Sequence, residues 1–143
     1  MPSIQEIQAQ IVDDFSFLPE WDERYAYLIE LGQKNPPLPE VLRSEDNIVR
    51  GCQSLVWLYR ECRQGIIYLQ ADSDSLIVKG LAALLLQVFS GQPAEDVFNA
   101  DLSFFTEIGL NKHLSSQRAN GLMAMVEEIK AFAKYCAGGG LGK

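Results

Sequence analysis

Apolar residues near the start of the chain recur every three or four positions, which is the spacing of one face of a helix. They are Ile4, Ile7, Ile11 and Phe15. Ser3 and Glu6 form an S-x-x-E capping box at the start of this segment. A second amphipathic segment predicts a helix that opens at Pro19 and stops at Gly32. The chain is therefore predicted to begin with two helices.

Three prolines break the pattern within residues 34–46. Each proline lacks a backbone N–H and excludes a regular helix or a central strand, so this stretch is predicted to be an extended surface connection. Residues 55–62 and 66–72 are then rich in β-branched and aromatic side chains. Gly65 lies between these two segments and adopts a positive φ at little cost, so we predict a β-hairpin.

A strongly apolar helix is predicted after the hairpin, because residues 73–75 (Ser-Asp-Ser) offer several N-caps and apolar side chains then follow at helical spacing. This helix is expected to end near Gly91. Gly80 lies inside it and disfavours a helix by about 1 kcal/mol relative to Ala. We therefore expect another backbone to pack closely against Gly80.

The last part of the chain is predicted to be helical. Short helical turns are expected at residues 93–98 and 102–108, and a long final helix is expected to start at Ser115 or Ser116. Its predicted buried residues are Ala119, Leu122, Val126, Ile129 and Ala133. The pattern as a whole predicts an α+β fold, in which a small antiparallel sheet is packed with several helices.

The length and net charge of the chain limit the domain number and the kinds of ligand that are expected. The 143 residues fit one domain; we assign residues 1–136 to it and the glycine-rich residues 137–143 to a flexible tail. The net charge of −7 argues against nucleic acid as the main ligand, because phosphate binding needs a basic surface. No apolar run is long enough to cross a bilayer, and the first residues lack a secretory signal. We expect a cytoplasmic protein.

The three cysteines are the main candidates for chemistry. Cys52, Cys62 and Cys136 are an odd number without CxxC spacing, and reduced thiols are expected in a cytosolic chain. Cys52 follows Gly51, which lets the backbone bend and present the thiol at a loop tip. Arg50 and nearby amides are expected to favour the thiolate and lower the thiol pKa. The alternative is an inert packed cysteine, since free Cys is often buried. Cys62 is expected to be half-buried on a strand, and Cys136 to be exposed at a fraying helix end.

Other reactive groups have little support. His113 is the only histidine, and no spacing signal links it to Cys52 as a nucleophile pair. It is expected to cap or flank the final helix. One histidine and three scattered cysteines make a poor zinc site. No GxGxxG, P-loop, HExxH or GxSxG pattern occurs, so nucleotide-binding, zincin and hydrolase functions are not indicated.

Residues 50–57 read RGCQSLVW and resemble the signature of the SufE family of cysteine desulfuration proteins. Three further blocks agree with that family in order and spacing, at residues 21–32, 72–81 and 114–122. The resemblance spans roughly residues 4–135, which is nearly the whole chain. Several matching blocks in the right order are more specific than one motif.

The resemblance implies a SufE/IscU-like fold and a role as sulfur acceptor and carrier. Cys52 would take persulfide sulfur from a cysteine desulfurase of the SufS or CsdA type and stimulate that enzyme. It would then pass the sulfur to the SufBCD scaffold for iron–sulfur cluster assembly. Pyridoxal phosphate belongs to the desulfurase, and no cofactor or metal is expected on this chain. The residues expected to support the Cys52 loop or contact the partner are Arg50, Gly51, Gln53, Ser54, Asp74 and Arg118.

Two other functions stay open at this point. One is a non-catalytic allosteric activator of the desulfurase. The other is an iron–sulfur or metal scaffold, which is disfavoured because the chain lacks a matching set of three cluster-ligating cysteines. Whether the chain forms a homodimer is also open. Whether it should be called an enzyme is open as well, since a carrier is not expected to turn over alone. We expect Cys52 to rest in an apolar pocket of the free protein and to swing out on docking.

Overall fold

The computed structural model describes residues 2–139, and the chain begins with two helices, α1 (Ile4–Ser16) and α2 (Trp21–Lys34). The predicted capping box is confirmed at α1. The Glu6 amide donates to Ser3 Oγ at 3.1 Å, and the Ser3 amide donates to Glu6 Oε1 at 2.8 Å. Helix α2 starts at Trp21, two residues later than predicted.

The predicted helix stop at Gly32 is wrong, because α2 continues to Lys34. Gly32 lies where α2 crosses α3 (Leu76–Phe89), and a Cβ at Gly32 would lie 2.8 Å from the Gly80 nitrogen. A Cβ at Gly80 would lie 2.1 Å from the Leu28 carbonyl oxygen, which is far inside contact distance. The close backbone approach predicted for Gly80 is therefore confirmed, and both glycines serve the same helix crossing.

The predicted hairpin is confirmed. Strands β1 (Val56–Arg63) and β2 (Ile66–Ser73) pair antiparallel, and the turn between them has positive φ at both Gln64 (52°) and Gly65 (78°). A third strand that the sequence pattern did not predict, β3 (Gln92–Pro93), pairs with the start of β2. The sheet order is β1-β2-β3.

The proline-containing connection after α2 is more ordered than the extended stretch that was predicted. It contains two 3₁₀ turns, Glu40–Leu42 and Glu45–Asn47, and it buries Leu38. Asp72 at the end of β2 fixes it, because the carboxylate accepts from the Leu38 amide at 3.0 Å and from Arg43 at 2.6 Å. The connection is thus held against the sheet just before the chain reaches Cys52.

The carboxyl-terminal part is helical, as predicted, but it contains one short helix, at Leu110–His113, that the sequence pattern did not predict. Three short helices, α4 (Ala94–Phe98), α5 (Phe104–Glu107) and α6 (Leu110–His113), lead to the long helix α7 (Ser116–Ala137). Ser115 caps α7 by accepting from the Arg118 amide at 3.3 Å.

The buried residues of α7 include four of the five that were predicted; Ala119 is only partly buried. Gly138 and Gly139 form a turn after α7, and residues 140–143 of the predicted tail lie outside the described residues.

The expectation of three reduced thiols is wrong, because Cys62 and Cys136 form a disulfide with a Cα–Cα distance of 5.8 Å. Cys136 is buried and 3% exposed, rather than exposed at a frayed end. Cys62 is half-buried on β1, as predicted. The two cysteines are 74 residues apart, so only the packing of α7 along the hairpin brings them together.

Helix α3 is the centre of the core. It is buried on nearly all sides and packs against α2, β2 and α7. The core side chains that are almost completely buried include Phe15, Leu28, Leu58, Ile67, Leu81, Leu85, Phe89 and Met125. Among residues 2–139, none of the helices combines the length and the apolar character needed to span a membrane.

Candidate functional site

Cys52 lies on a short loop whose two ends are held together by backbone pairing. The Val49 amide donates to the Val56 carbonyl at 2.9 Å, and Ile48 forms an isolated bridge with Trp57. Gly51 has a φ of +92°, a conformation that favours glycine, and it bends the chain just before Cys52. Cys52 therefore lies at the tip of a loop, as its position after Gly51 predicted.

The first turns of α7 form the wall that faces Cys52. The Cys52 thiol lies 3.8 Å from the Gly121 carbonyl oxygen and donates a weak hydrogen bond to it. A cavity of about 150 Å³ adjoins the thiol. Besides Cys52, its lining residues are Gln53, Ser54, Ser75, Val78, Gln117, Arg118 and Gly121. Most of these side chains are polar, so the prediction that Cys52 rests in an apolar pocket is wrong.

Burial raises the pKa of the Cys52 thiol above its ordinary value. This outcome is the reverse of the expectation that Arg50 would lower that pKa. The Arg50 side chain is exposed and is not among the residues that line the cavity. Burial therefore lowers the fraction of Cys52 that is thiolate in the free protein, and the protonated thiol is the poorer nucleophile.

Asp74 holds the far end of the Cys52 loop. Its Oδ1 accepts from the Leu55 amide at 3.0 Å, and its own amide donates to the Leu55 carbonyl at 3.2 Å. Ser73 adds a hydroxyl donation to the same carbonyl at 2.8 Å. The loop is therefore anchored at Leu55 to the connection between β2 and α3, while residues 50–54 carry the bend and the thiol.

The structure brings together most of the residues singled out from the sequence. Gln53, Ser54 and Arg118 line the cavity beside Cys52. Ser75, Val78 and Gln117 also line the cavity, and they were not singled out although they lie in the matching blocks 72–81 and 114–122. Gly121 lay in a matching block but had no assigned role.

His113 is not part of this site. Its ring stacks on Trp21 with a centroid distance of 4.2 Å, and its backbone carbonyl accepts from the Tyr25 hydroxyl. These contacts fix α6 against α2. The expectation that His113 does not pair with Cys52 agrees with this position.

A larger cavity, of about 710 Å³, lies between α1 and Gln87 of α3. Its lining includes Glu6 and Asp14 but no thiol or imidazole. Among residues 2–139, no group of three or more His, Cys, Asp or Glu side chains lies close enough together to hold a metal ion. Within the described part of the chain, Cys52 is the free cysteine, and it lies in the smaller cavity.

Comparison with known proteins shows the family of this chain. Residues 9–133 match the SufE family, described as an Fe-S metabolism associated domain. A SufE-like protein of Rhizobium meliloti is 47% identical over 130 residues, which covers 87% of this chain and 93% of the relative. A SufE-like protein of Rhizobium etli is 45% identical over 133 residues, which covers 90% of each chain.

The fold also matches a solved structure, the solution structure of a hypothetical protein from Thermus thermophilus. The TM-score is 0.75 at 25% sequence identity, and the match covers 91% of this chain and 95% of that one. The α+β fold predicted from the sequence is therefore confirmed.

Proposed function

The chain belongs to the SufE family and acts in iron–sulfur metabolism, and from that premise we propose that Cys52 accepts sulfane sulfur from a cysteine desulfurase. The observation that carries this proposal is the position of Cys52. It is the one cysteine outside the disulfide, it lies on a loop tip, and a cavity adjoins its sulfur. Cys62, with its disulfide partner Cys136, lies six residues beyond the start of β1, which is roughly 20 Å along an extended strand and too far for either sulfur to take part directly.

The proposed reaction is an exchange at sulfur. The Cys52 thiolate attacks the outer sulfur of a persulfide on the desulfurase, a new S–S bond forms on Cys52, and the desulfurase cysteine leaves as a thiolate. Cys52 gives up its proton before the attack, and the leaving thiolate takes up a proton afterwards. The carried sulfur then passes to the SufBCD scaffold. The pyridoxal phosphate that releases sulfur from free cysteine belongs to the desulfurase.

Docking has to activate Cys52 in this mechanism. The thiol is half-buried and its pKa is raised, so the free protein has a low fraction of thiolate. Movement of the loop at Gly51 would expose the sulfur and remove the burial that raises its pKa. Before docking, Cys52 would be a poor nucleophile toward small electrophiles in the cell, and after docking it would be a good nucleophile toward the desulfurase persulfide.

The surface beside the loop suits a protein partner. Leu55 and Leu76 are 47% and 57% exposed, although both are large apolar side chains. They flank Asp74, which holds the loop end. Arg118 is exposed at the start of α7 and lines the cavity beside Cys52. We propose this surface as the place where the desulfurase docks, with Arg118 and Asp74 as polar contacts.

The test is to mix the chain with a SufS-type desulfurase, pyridoxal phosphate and cysteine, and to measure intact and peptide masses. One added sulfur atom on the Cys52 peptide is the expected result. The variant Cys52→Ser should gain no sulfur. The double variant Cys62→Ser/Cys136→Ser is the matched control, because it keeps Cys52 as the one cysteine and should still gain one sulfur. Sulfur on any other cysteine would contradict the proposal.

The same variants separate a carrier from an allosteric activator. A carrier with Cys52→Ser loses its stimulation of the desulfurase, because sulfide release again depends on the desulfurase alone. An activator keeps its stimulation with serine at position 52. A cluster scaffold is less favoured, since the described residues offer no group of side chains that could ligate iron.

A further inference from the structure

Gly121 lies in the second turn of α7, where glycine is an unfavourable choice. Glycine and proline are the weakest helix formers in a helix interior. Gly121 is buried, and it is not among the glycines with positive φ. Its backbone conformation is therefore open to any residue, and the reason for glycine has to be space.

Cys52 is the residue that faces Gly121 across the cavity. A Cβ built at Gly121 would lie 3.5 Å from Cys52 Sγ and 4.0 Å from Cys52 Cβ, with no other neighbouring atom within 4 Å. Gly32 and Gly80 differ, because a Cβ there would meet the backbone of a crossing helix. Among the buried helix glycines of residues 2–139, Gly121 is therefore the one at which an added side chain would contact only Cys52, the proposed sulfur acceptor.

The thiol alone does not need this space. A separation of 3.5 Å is ordinary contact, so alanine at position 121 is compatible with the Cys52 thiol. A persulfide adds a second sulfur about 2.05 Å beyond Sγ. That atom needs a position of its own next to Sγ, and the cavity of about 150 Å³ that Gly121 helps to line provides one.

We propose that Gly121 is a positioning residue for the Cys52 persulfide, and that its missing side chain leaves the space where the outer sulfur lies shielded. This inference rests on the proposed function. With alanine at 121, the methyl group competes with the outer sulfur, and the persulfide moves out toward solvent. A small thiol then attacks it more easily, because exchange at sulfur depends on access.

The loss reaction is an exchange that balances without an added oxidant. A thiolate such as glutathione attacks the outer sulfur and forms an S–S bond with it. The S–S bond to Cys52 breaks, and Cys52 leaves as a thiolate that takes up a proton. The products are the original Cys52 thiol and a glutathione persulfide.

The test compares the wild-type chain with Gly121→Ala and with Asn120→Ala. Asn120 is exposed and adjacent on α7, so its replacement improves the helix in the same way without meeting Cys52. Each chain is loaded by a desulfurase with pyridoxal phosphate and cysteine, separated, and exposed to glutathione while intact mass follows loss of the added sulfur. Gly121→Ala should lose it roughly tenfold faster than wild type, and Asn120→Ala within about twofold of wild type.

Two further measurements separate positioning from a structural role. Thermal unfolding of Gly121→Ala should occur at the wild-type temperature or higher, because alanine favours the helix. Alkylation of the unloaded thiol by iodoacetamide should change by less than about twofold, since the added methyl only contacts it. An alkylation rate that rises as much as sulfur loss would overturn the inference, because alanine would then displace the thiol itself.

The outcomes also distinguish this inference from the function on which it rests. If the wild-type chain gains no sulfur from the desulfurase, the proposed function fails and the inference with it. If the wild-type chain gains sulfur and Gly121→Ala loses it at the wild-type rate, the inference alone is wrong.

Discussion

At the scale of single residues, Asp72 joins three segments that are separate in the sequence. Its buried carboxylate binds the amide of Leu38 and the guanidinium of Arg43 from the proline-containing connection. It also lies 3.4 Å from Lys79 of α3 and accepts from the Ser73 amide at 2.9 Å. Asp72 is next to the last residue of β2 and pairs with Trp57 near the start of β1, so it fixes the surroundings of the Cys52 loop without lining the cavity beside the thiol.

The variant Asp72→Asn should lower the free energy of unfolding by about 2 kcal/mol at neutral pH. Burial by itself would raise the pKa of Asp72, but the amides of Leu38 and Ser73 and the charges of Lys79 and Arg43 outweigh it, so the pKa is lowered. The asparagine amide keeps one acceptor and loses the charge that two cations face. Urea unfolding, followed by tryptophan fluorescence, measures the difference.

The effect of Asp72→Asn should depend on pH. A carboxyl group whose folded pKa is lowered stabilises the fold above the ordinary pKa of about 4, and that contribution is lost as pH falls through the folded pKa. The gap between wild type and variant should therefore narrow below about pH 4. Asp13→Asn is the control, because Asp13 is exposed on α1. A gap that stays constant down to low pH would contradict the charge-based explanation.

The sequence predicts the reactive residue better than its surroundings. Gly51 before Cys52 indicates a bend and a presented thiol, because that information is local. The cavity walls at Ser75, Gln117 and Gly121 come from helices that pack together only in the folded chain. The raised pKa of Cys52 follows from the same packing, so the neighbouring Arg50 was a misleading local signal.

At the scale of elements, periodicity predicted the long helices and the hairpin, and tertiary contacts explain the differences. Gly32 has the local features of a helix stop, but the crossing with α3 needs a residue without a side chain there. Strand β3 is two residues long and contains Pro93, so it has no pattern to detect. Its pairing depends on the position of β2 alone.

The variant Gly80→Ala should destabilise the chain by roughly 2–3 kcal/mol, which is the usual effect of overpacking. The added Cβ would meet the Leu28 carbonyl oxygen at 2.1 Å, so α2 and α3 must move apart. Gly121→Ala is the matched control, since it also replaces a buried helix glycine but makes only ordinary contact. Thermal unfolding compares the two variants. Equal stability of both would mean that the α2–α3 crossing yields easily.

Removing the Cys62–Cys136 disulfide should lower the free energy of unfolding by up to about 4 kcal/mol. The bond closes a long loop, with 74 residues of sequence separation, and it constrains the unfolded chain accordingly. The double variant Cys62→Ser/Cys136→Ser should match the reduced wild-type chain in urea unfolding. It should also be insensitive to reductant, whereas wild type should shift. Identical unfolding of wild type with and without reductant would contradict a stabilising disulfide.

At the scale of the whole molecule, the α+β fold was predictable because each long element has a clear local pattern and the family blocks span the chain. The disulfide was not predictable, since the odd number of cysteines and their spacing favoured free thiols. Only the packing of α7 along β1 brings Cys62 to Cys136. The net charge of −7 argues against nucleic acid as the main ligand, but it does not identify the partner.

The disulfide between β1 and α7 also makes the number of reactive thiols per molecule depend on the redox state of the chain. Two of the three cysteine sulfurs are held in that link, so an electrophilic tag added without reductant should attach once per molecule. Molecules that carry three tags have an opened link. The distribution of tag numbers in a preparation, or in material taken directly from cells, therefore reports how oxidising its surroundings have been.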